Sequence, residues 1–261
     1  MNRAGMVLRS VLGVLGLATL SGFTSAASTS QVVLVAGATG GTGKEVVTQA
    51  VAKGYSVRVL VRNEARAREV FGDSVQYVVG DVRDTAALDR AVAGATYVVS
   101  ALGSNTRNDP TNKPEFIDYG AIKALAEAAR QHGIKQFVLV SSMGVTDKDN
   151  QLNKMFDNIL IWKLKGEDAL RASGVPYTVV RPGGLRDTPG GQGGIKALQG
   201  DPKVRGEIAR VDVATVCVNA LGREAAVGKT FEIVGDPATT AVDWNTFYAS
   251  LIADSSTANG E

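Results

Sequence analysis

The chain has one cysteine and one histidine among 261 residues, and each scarcity removes a class of chemistry. A lone Cys217 forms neither an internal disulfide nor a thiolate zinc site. His132, in "ARQHGIK", falls at an expected helix end, where a cation suits the helix dipole. Ser-His-Asp catalysis and histidine-rich metal binding are therefore disfavoured, and no metal is expected. Charge of one sign is nowhere concentrated: the net charge of +2 comes from well-mixed residues, with no basic block suited to nucleic acid. At 44% hydrophobic and 21% charged, the composition is that of a soluble globular protein, and the length suits one large α/β domain.

Acidic residues are missing altogether before Glu45. Arg3 and Arg9 precede the apolar "SVLGVLGLATLSG" and the small residues of "FTSAAS". Three readings fit residues 1–30: a secretory signal, an organelle transit peptide for plastid or mitochondrion, or a signal anchor that would be the only route to a membrane. The folded part is expected over 31–252, with substrate-side elements from about 181 and a loose tail over 253–261.

From Gln31 onward short apolar runs alternate with helical spacing. Strands are predicted at Val32–Ala36, Ser56–Val61, Val75–Val79, Tyr97–Ala101, Gln136–Val140, Tyr177–Val180 and Thr230–Val234. Helices are predicted at Lys44–Lys53, Glu64–Phe71, Thr85–Ala93, Glu115–Gln131, Asn153–Ala172, Val211–Leu221 and Trp244–Ile252. Gly54, Gly94, Gly133 and Gly174 read as C-terminal caps. Such alternation predicts an α/β fold with a parallel sheet covered on both faces. Trp162 and Trp244 are expected in the core.

"VAGATGGTGK" (35–44) joins the first strand to the first helix. A dinucleotide diphosphate sits on a helix N-terminus, held by backbone N–H groups and the helix dipole. Gly37 would make the turn, Gly40 the close approach and Gly43 the helix-to-sheet contact, with Thr39, Gly41 and Thr42 filling out the loop. It is not a Walker loop, because the spacing is wrong and Glu45 follows Lys44 where Ser or Thr belongs.

The GxxGxxG spacing, with "VLVRN" (59–63), "GDVRD" (80–84), "VVSALGS" (98–104), "FVLVSSMG" (137–144), "WKLKGEDALRASGVPYTVVRPGGL" (162–185) and "IARVDVA" (208–214), resembles the atypical short-chain dehydrogenases/reductases. The likeness is to their NmrA-like or sugar-epimerase-like branch and spans nearly all of residues 31–236. It implies a single Rossmann-like, doubly wound sheet binding a dinucleotide. Asp81 would then face the adenine amino group and Val82 its ring. Ala101, Leu102 and Gly103 would line the cofactor channel, and Pro182 and Gly183 would lie beside the nicotinamide. NAD-binding forms carry a carboxylate at the end of the second strand. This chain has Val61-Arg62-Asn63 there, so Arg62 suits a 2′-phosphate and NADP(H) is expected over NAD(H).

Standard members pair a serine with tyrosine and lysine spaced YxxxK on one helix. Ser142 and Lys163 stand at the serine and lysine positions, but Ile159 occupies the tyrosine position, and no tyrosine lies between Tyr119 and Tyr177. Asp118 replaces an asparagine of the family's proton relay. Tyr119 is either a substitute hydroxyl or a packing aromatic. Losing a general acid costs about 10²- to 10⁴-fold, a loss that weighs against simple carbonyl chemistry and less against quinones or flavins. The leading expectation is an NADPH-dependent reductase of a small conjugated acceptor, positioned by Ser142 and Lys163. The alternative is a non-catalytic NADP(H) sensor or assembly factor. A sugar-nucleotide epimerase depends most on the missing tyrosine and ranks last. The loop Arg186–Gly194 is a candidate to close over ligand.

Overall fold

Val33 to Ala36 are buried on both sides, because the strand they build lies inside a sheet with no solvent face. The computed structural model describes Met1 and residues 31–107, 109–191, 193–239 and 242–255; the leader peptide expected over 1–30 lies outside them apart from Met1. Strands β1 (Val32–Ala36), β2 (Ser56–Val61), β3 (Gln76–Val79), β4 (Tyr97–Ser100), β5 (Gln136–Val140) and β6 (Tyr177–Pro182) run parallel in the order β3-β2-β1-β4-β5-β6. The glycine-rich stretch that follows contributes β7 (Gly184–Arg186), β8 (Gly194–Leu198) and β9 (Glu207–Ala209). β10 (Lys229–Asp236) extends the sheet parallel to β6, and β8 ends it antiparallel to β10. β7 and β9 form a separate parallel pair. The expected doubly wound α/β architecture is present.

Two apolar layers hold the helices to the sheet. On one face α1 (Gly41–Ala52) and α7 (Arg210–Ala220) press Val46, Val47, Val213 and Cys217 toward Val33 and Val35. On the other, α3 (Thr85–Val92), α4 (Ile122–Gln131) and α6 (Ile159–Ala172) pack Leu88, Leu125 and Leu170 with Leu34 and Phe137. Each such fully buried side chain contributes about 1.5–3 kcal/mol. Local chemistry sets the starts: Asn63 accepts from the Arg66 amide at the head of α2 (Glu64–Phe71), and Asp84 accepts from the Ala86 amide at the head of α3. The winding reverses between β1 and β4, which end level with Ala36 opposite Ser100. Ligands bind at such a switch point, beyond the C-terminal strand ends.

Several expectations are corrected. The helix predicted over Asn153–Ala172 is two helices, α5 (Gln151–Met155) and α6, parted by Asp157 and Asn158 with φ of +47° and +60°. Left-handed backbone at two successive residues cannot continue an α-helix. The helix over Glu115–Gln131 opens as a π-helical turn (Glu115–Ala121) before α4. The last helix, α8 (Trp244–Ala249), stops short of Ile252. Of the tail expected to be loose over 253–261, Asp254 is held, accepting hydrogen bonds from Tyr177, the Thr230 amide and the Thr230 hydroxyl, and residues 256–261 lie outside the described residues. Trp162 is only half-buried; it stacks on Tyr119 and carries Lys165 over its ring, outside the core. Trp244, also half-buried, does pack against the first layer.

Candidate active site

The β1–α1 turn is built by exclusion of side chains. Gly37 has φ of +81°, and a Cβ there would stand 2.6 Å from the Ala101 carbonyl oxygen. A Cβ on Gly43 would lie 2.1 Å from the Gly37 oxygen. Gly40 precedes α1 without a side-chain cap, while Thr39 is exposed and Thr42 buried. The first N–H groups of α1 therefore have no intrahelical acceptor. A cradle that Cβ atoms would fill, beside uncommitted N–H donors, fits a dinucleotide diphosphate. Ala101, Leu102 and Gly103 follow β4 across the crevice, with the Ala101 amide bonded to the Ala36 oxygen at 2.9 Å.

At the end of β2, Arg62 is 60% exposed and pairs with Asp109 at 3.2 Å. Glu64, the nearest following carboxylate, is engaged by Arg68 at 2.8 Å. Asp81 is gripped by Arg83, whose Nε and Nη2 each donate at 2.8 Å. That guanidinium, with the Arg83 amide, holds the Asp81 carboxyl down at about 2 despite partial burial. Asp81 thus already serves Arg83, whose Nη1 also reaches Thr111. At this end of the crevice Arg62 and Arg83 are thus each paired with a carboxylate, Asp109 and Asp81. Val82 is partly buried against the second apolar layer.

Deeper in, Lys163 Nζ lies 2.7 Å from Asp118 Oδ1, with side chains 14% and 0% exposed. The Ser104 amide donates to the other carboxylate oxygen at 3.2 Å. The π-helical turn places Asp118 there, and Gly166 lets α6 approach: a Cβ on it would be 2.2 Å from the Asp118 backbone oxygen. Leu102, Asp118, Ser141 and Lys163 line one small cavity. Ser141 Oγ and Ser100 Oγ are buried there and at the end of β4, with no hydrogen-bond partner among the described residues. Unsatisfied hydroxyls cost about 1–3 kcal/mol each and need a reason. Ser142, the serine selected from sequence, is half-buried and donates to the adjacent Met143 oxygen at 3.0 Å.

A larger cavity of about 610 Å³ opens beside the Ser104–Arg107 segment and is walled by Met155, Phe156 and Ile159. Tyr119 does not line either cavity; it faces a groove with Lys123 and Lys165, so the packing reading holds for it. Pro182 closes β6, and its oxygen accepts from the Met143 amide. Gly183 is required by packing, since a Cβ would stand 2.4 Å from the Gly206 oxygen. Sequence reasoning missed Ser141, Arg83, the Asp118–Lys163 pair and the Met155–Phe156 wall. Only "SS" at a strand end and "DVRD" offered a signal for any of them.

The chain matches known proteins over most of its length. The family described as NAD(P)H-binding matches residues 37–224. Sanguinarine reductase of Eschscholzia californica is 33% identical over 244 residues, covering 78% of this chain and 89% of that one. An uncharacterized chloroplastic protein of Arabidopsis thaliana is 36% identical over 249 residues, covering 86% and 76% respectively. A solved Bacillus halodurans protein of NAD-dependent epimerase/dehydratase type superposes with a TM-score of 0.74 at 27% identity, covering 85% of this chain and 100% of its own.

Proposed function

Because this chain belongs to the NAD(P)H-binding Rossmann-fold family, among the atypical short-chain dehydrogenases/reductases, we propose that it is an NADPH-dependent reductase of a small conjugated acceptor, quinone or flavin in type. The observation that carries this is the Lys163–Asp118 pair beside buried serine hydroxyls, on a helix with Ile159 where the acid tyrosine belongs. The cofactor, when bound, supplies a hydride. Gly37–Gly43 hold its diphosphate, Arg62 its 2′-phosphate, and Asp81, Val82, Ala101, Leu102, Gly103, Pro182 and Gly183 its remaining parts. Lys163, fixed by Asp118, orients the nicotinamide ribose. Ser141 or Ser142 donates a hydrogen bond to the acceptor oxygen. An already electrophilic ring takes its proton from water, so a phenolic donor is not needed.

NADPH is favoured over NADH because the end of β2 offers a guanidinium and no free carboxylate. Residues 1–30 are read as a plastid transit peptide, supported by the chloroplastic relative and the absence of acid before Glu45.

A second reading is a non-catalytic NADP(H) sensor, favoured by the same missing acid. Mixing the purified chain with NADPH and a panel of quinones, flavins and simple ketones separates the two. Acceptor-dependent loss of reduced nicotinamide, diminished in Lys163→Ala, is the expected result. Tight binding without turnover on any acceptor would refute the reductase and leave the sensor.

A further inference from the structure

Gly41 differs from its neighbours in what excludes a side chain. A Cβ there would meet the Arg210 side chain, with Cδ at 2.7 Å, Nε at 2.9 Å and Cζ at 3.4 Å. A guanidinium thus lies on the first residue of α1, over the helix end whose N–H groups are uncommitted. Arg210 also begins α7, whose N-cap Ala209 supplies no side-chain acceptor either. A cation beside the positive ends of two helix dipoles is unfavourable unless an anion shares the place. The anion present is Asp187, which accepts from Arg210 Nε at 2.8 Å and is itself 82% exposed. Arg210 Nη1 and Nη2 donate to nothing among the described residues. The loop that carries Asp187 is fastened once more to α7, where the Gly191 amide donates to Asp212 at 2.8 Å.

We propose that Arg210 grips the diphosphate of bound NAD(P)H through Nη1 and Nη2 while Nε keeps Asp187, tying the cofactor to the Asp187–Gly191 loop. This rests on the reading that the Gly37–Gly43 cradle holds the dinucleotide. A guanidinium carries five N–H donors in a fixed fork, so one arginine can serve a carboxylate and a phosphate together.

The test compares the full chain with Arg210→Gln, measuring dissociation constants for NADPH and for adenosine 2′-phosphate, which lacks the diphosphate. NADPH binding is expected to weaken about 10- to 100-fold, the worth of charge-assisted hydrogen bonds, with adenosine 2′-phosphate unaffected. Hydrogen exchange supplies a second readout: NADPH slows exchange across 187–191 in the wild type and fails to do so in Asp187→Ala, which leaves the guanidinium in place. Unchanged NADPH affinity in Arg210→Gln, or an equal loss for both ligands, overturns the inference. So does a loop that still responds in Asp187→Ala. If the wild type binds neither NADPH nor NADH, the cradle reading itself fails; if the wild type binds and the variants match it, only the role of Arg210 fails.

Discussion

Replacing a glycine inside a helix by alanine ordinarily gains about 1 kcal/mol, because glycine has more backbone entropy to lose. At Gly166 the same change is expected to destabilise. Its Cβ would stand 2.2 Å from the Asp118 backbone oxygen and 3.3 Å from the carbonyl carbon, where real Cβ atoms keep 3.0 Å or more. The obstacle is backbone, so α6 and the π-helical turn must part by at least about 0.8 Å. Overpacking of this kind costs about 1–3 kcal/mol. The displacement also acts on the Lys163–Asp118 contact, now 2.7 Å with Asp118 wholly buried, and weakening a buried pair leaves charge poorly compensated. The overpacking and the strained pair outweigh the propensity gain, for a net loss of about 1–3 kcal/mol and a Tm lowered by roughly 3–10 °C. Chemical and thermal denaturation of Gly166→Ala measure the loss, and NADPH titration reports whether Lys163 has moved. A variant more stable than wild type with unchanged NADPH affinity would show that the seam between α6 and Asp118 is not tight, and the reasoning would fail.

Two further outcomes are accessible. Arg62→Ala should weaken NADPH by about 10- to 100-fold while leaving NADH nearly unchanged; parallel titration with both cofactors checks it, and equal losses would remove Arg62 from the 2′-phosphate. Asp81, depressed to about 2 chiefly by its hydrogen bonds from Arg83, contributes stability that is present above its ordinary value of 3.8 and lost as pH falls through about 2. With the pair partly open to solvent, the contribution is held to about 1 kcal/mol, and Asp81→Asn should flatten that part of an acid denaturation profile.

The strand-helix alternation was legible because burial imprints itself on consecutive residues. Val32–Ala36 is apolar at every position since both faces are covered, and Val46, Val47 and Ala50 mark the inward side of α1. The helix breaks were partly legible: glycines at 54, 94, 133 and 174 do adopt positive φ. The break at Asp157–Asn158 was missed because the helical spacing continues across it, although Asp and Asn are the residues other than glycine that best tolerate left-handed backbone. Arg186–Gly194 read as loop, yet β7 ends within it and β8 begins within it, through pairing with β9 and β10.

The sequence by itself determined the architecture, the turn that fits a diphosphate, and the loss of the acid tyrosine, since each depends on residue identity or on spacing along one element. Tertiary structure alone decided which side chains meet. Whether Ser141 or Ser142 turns inward depends on where β5 ends, as neighbouring residues of a strand face opposite ways. The pairing of Lys163 with Asp118 depends on how closely two helices pack, and the seat of Arg210 on Gly41 depends on two helix starts converging. Periodicity records that a face is buried but not its partner, because partner choice is made by packing between elements far apart in the chain.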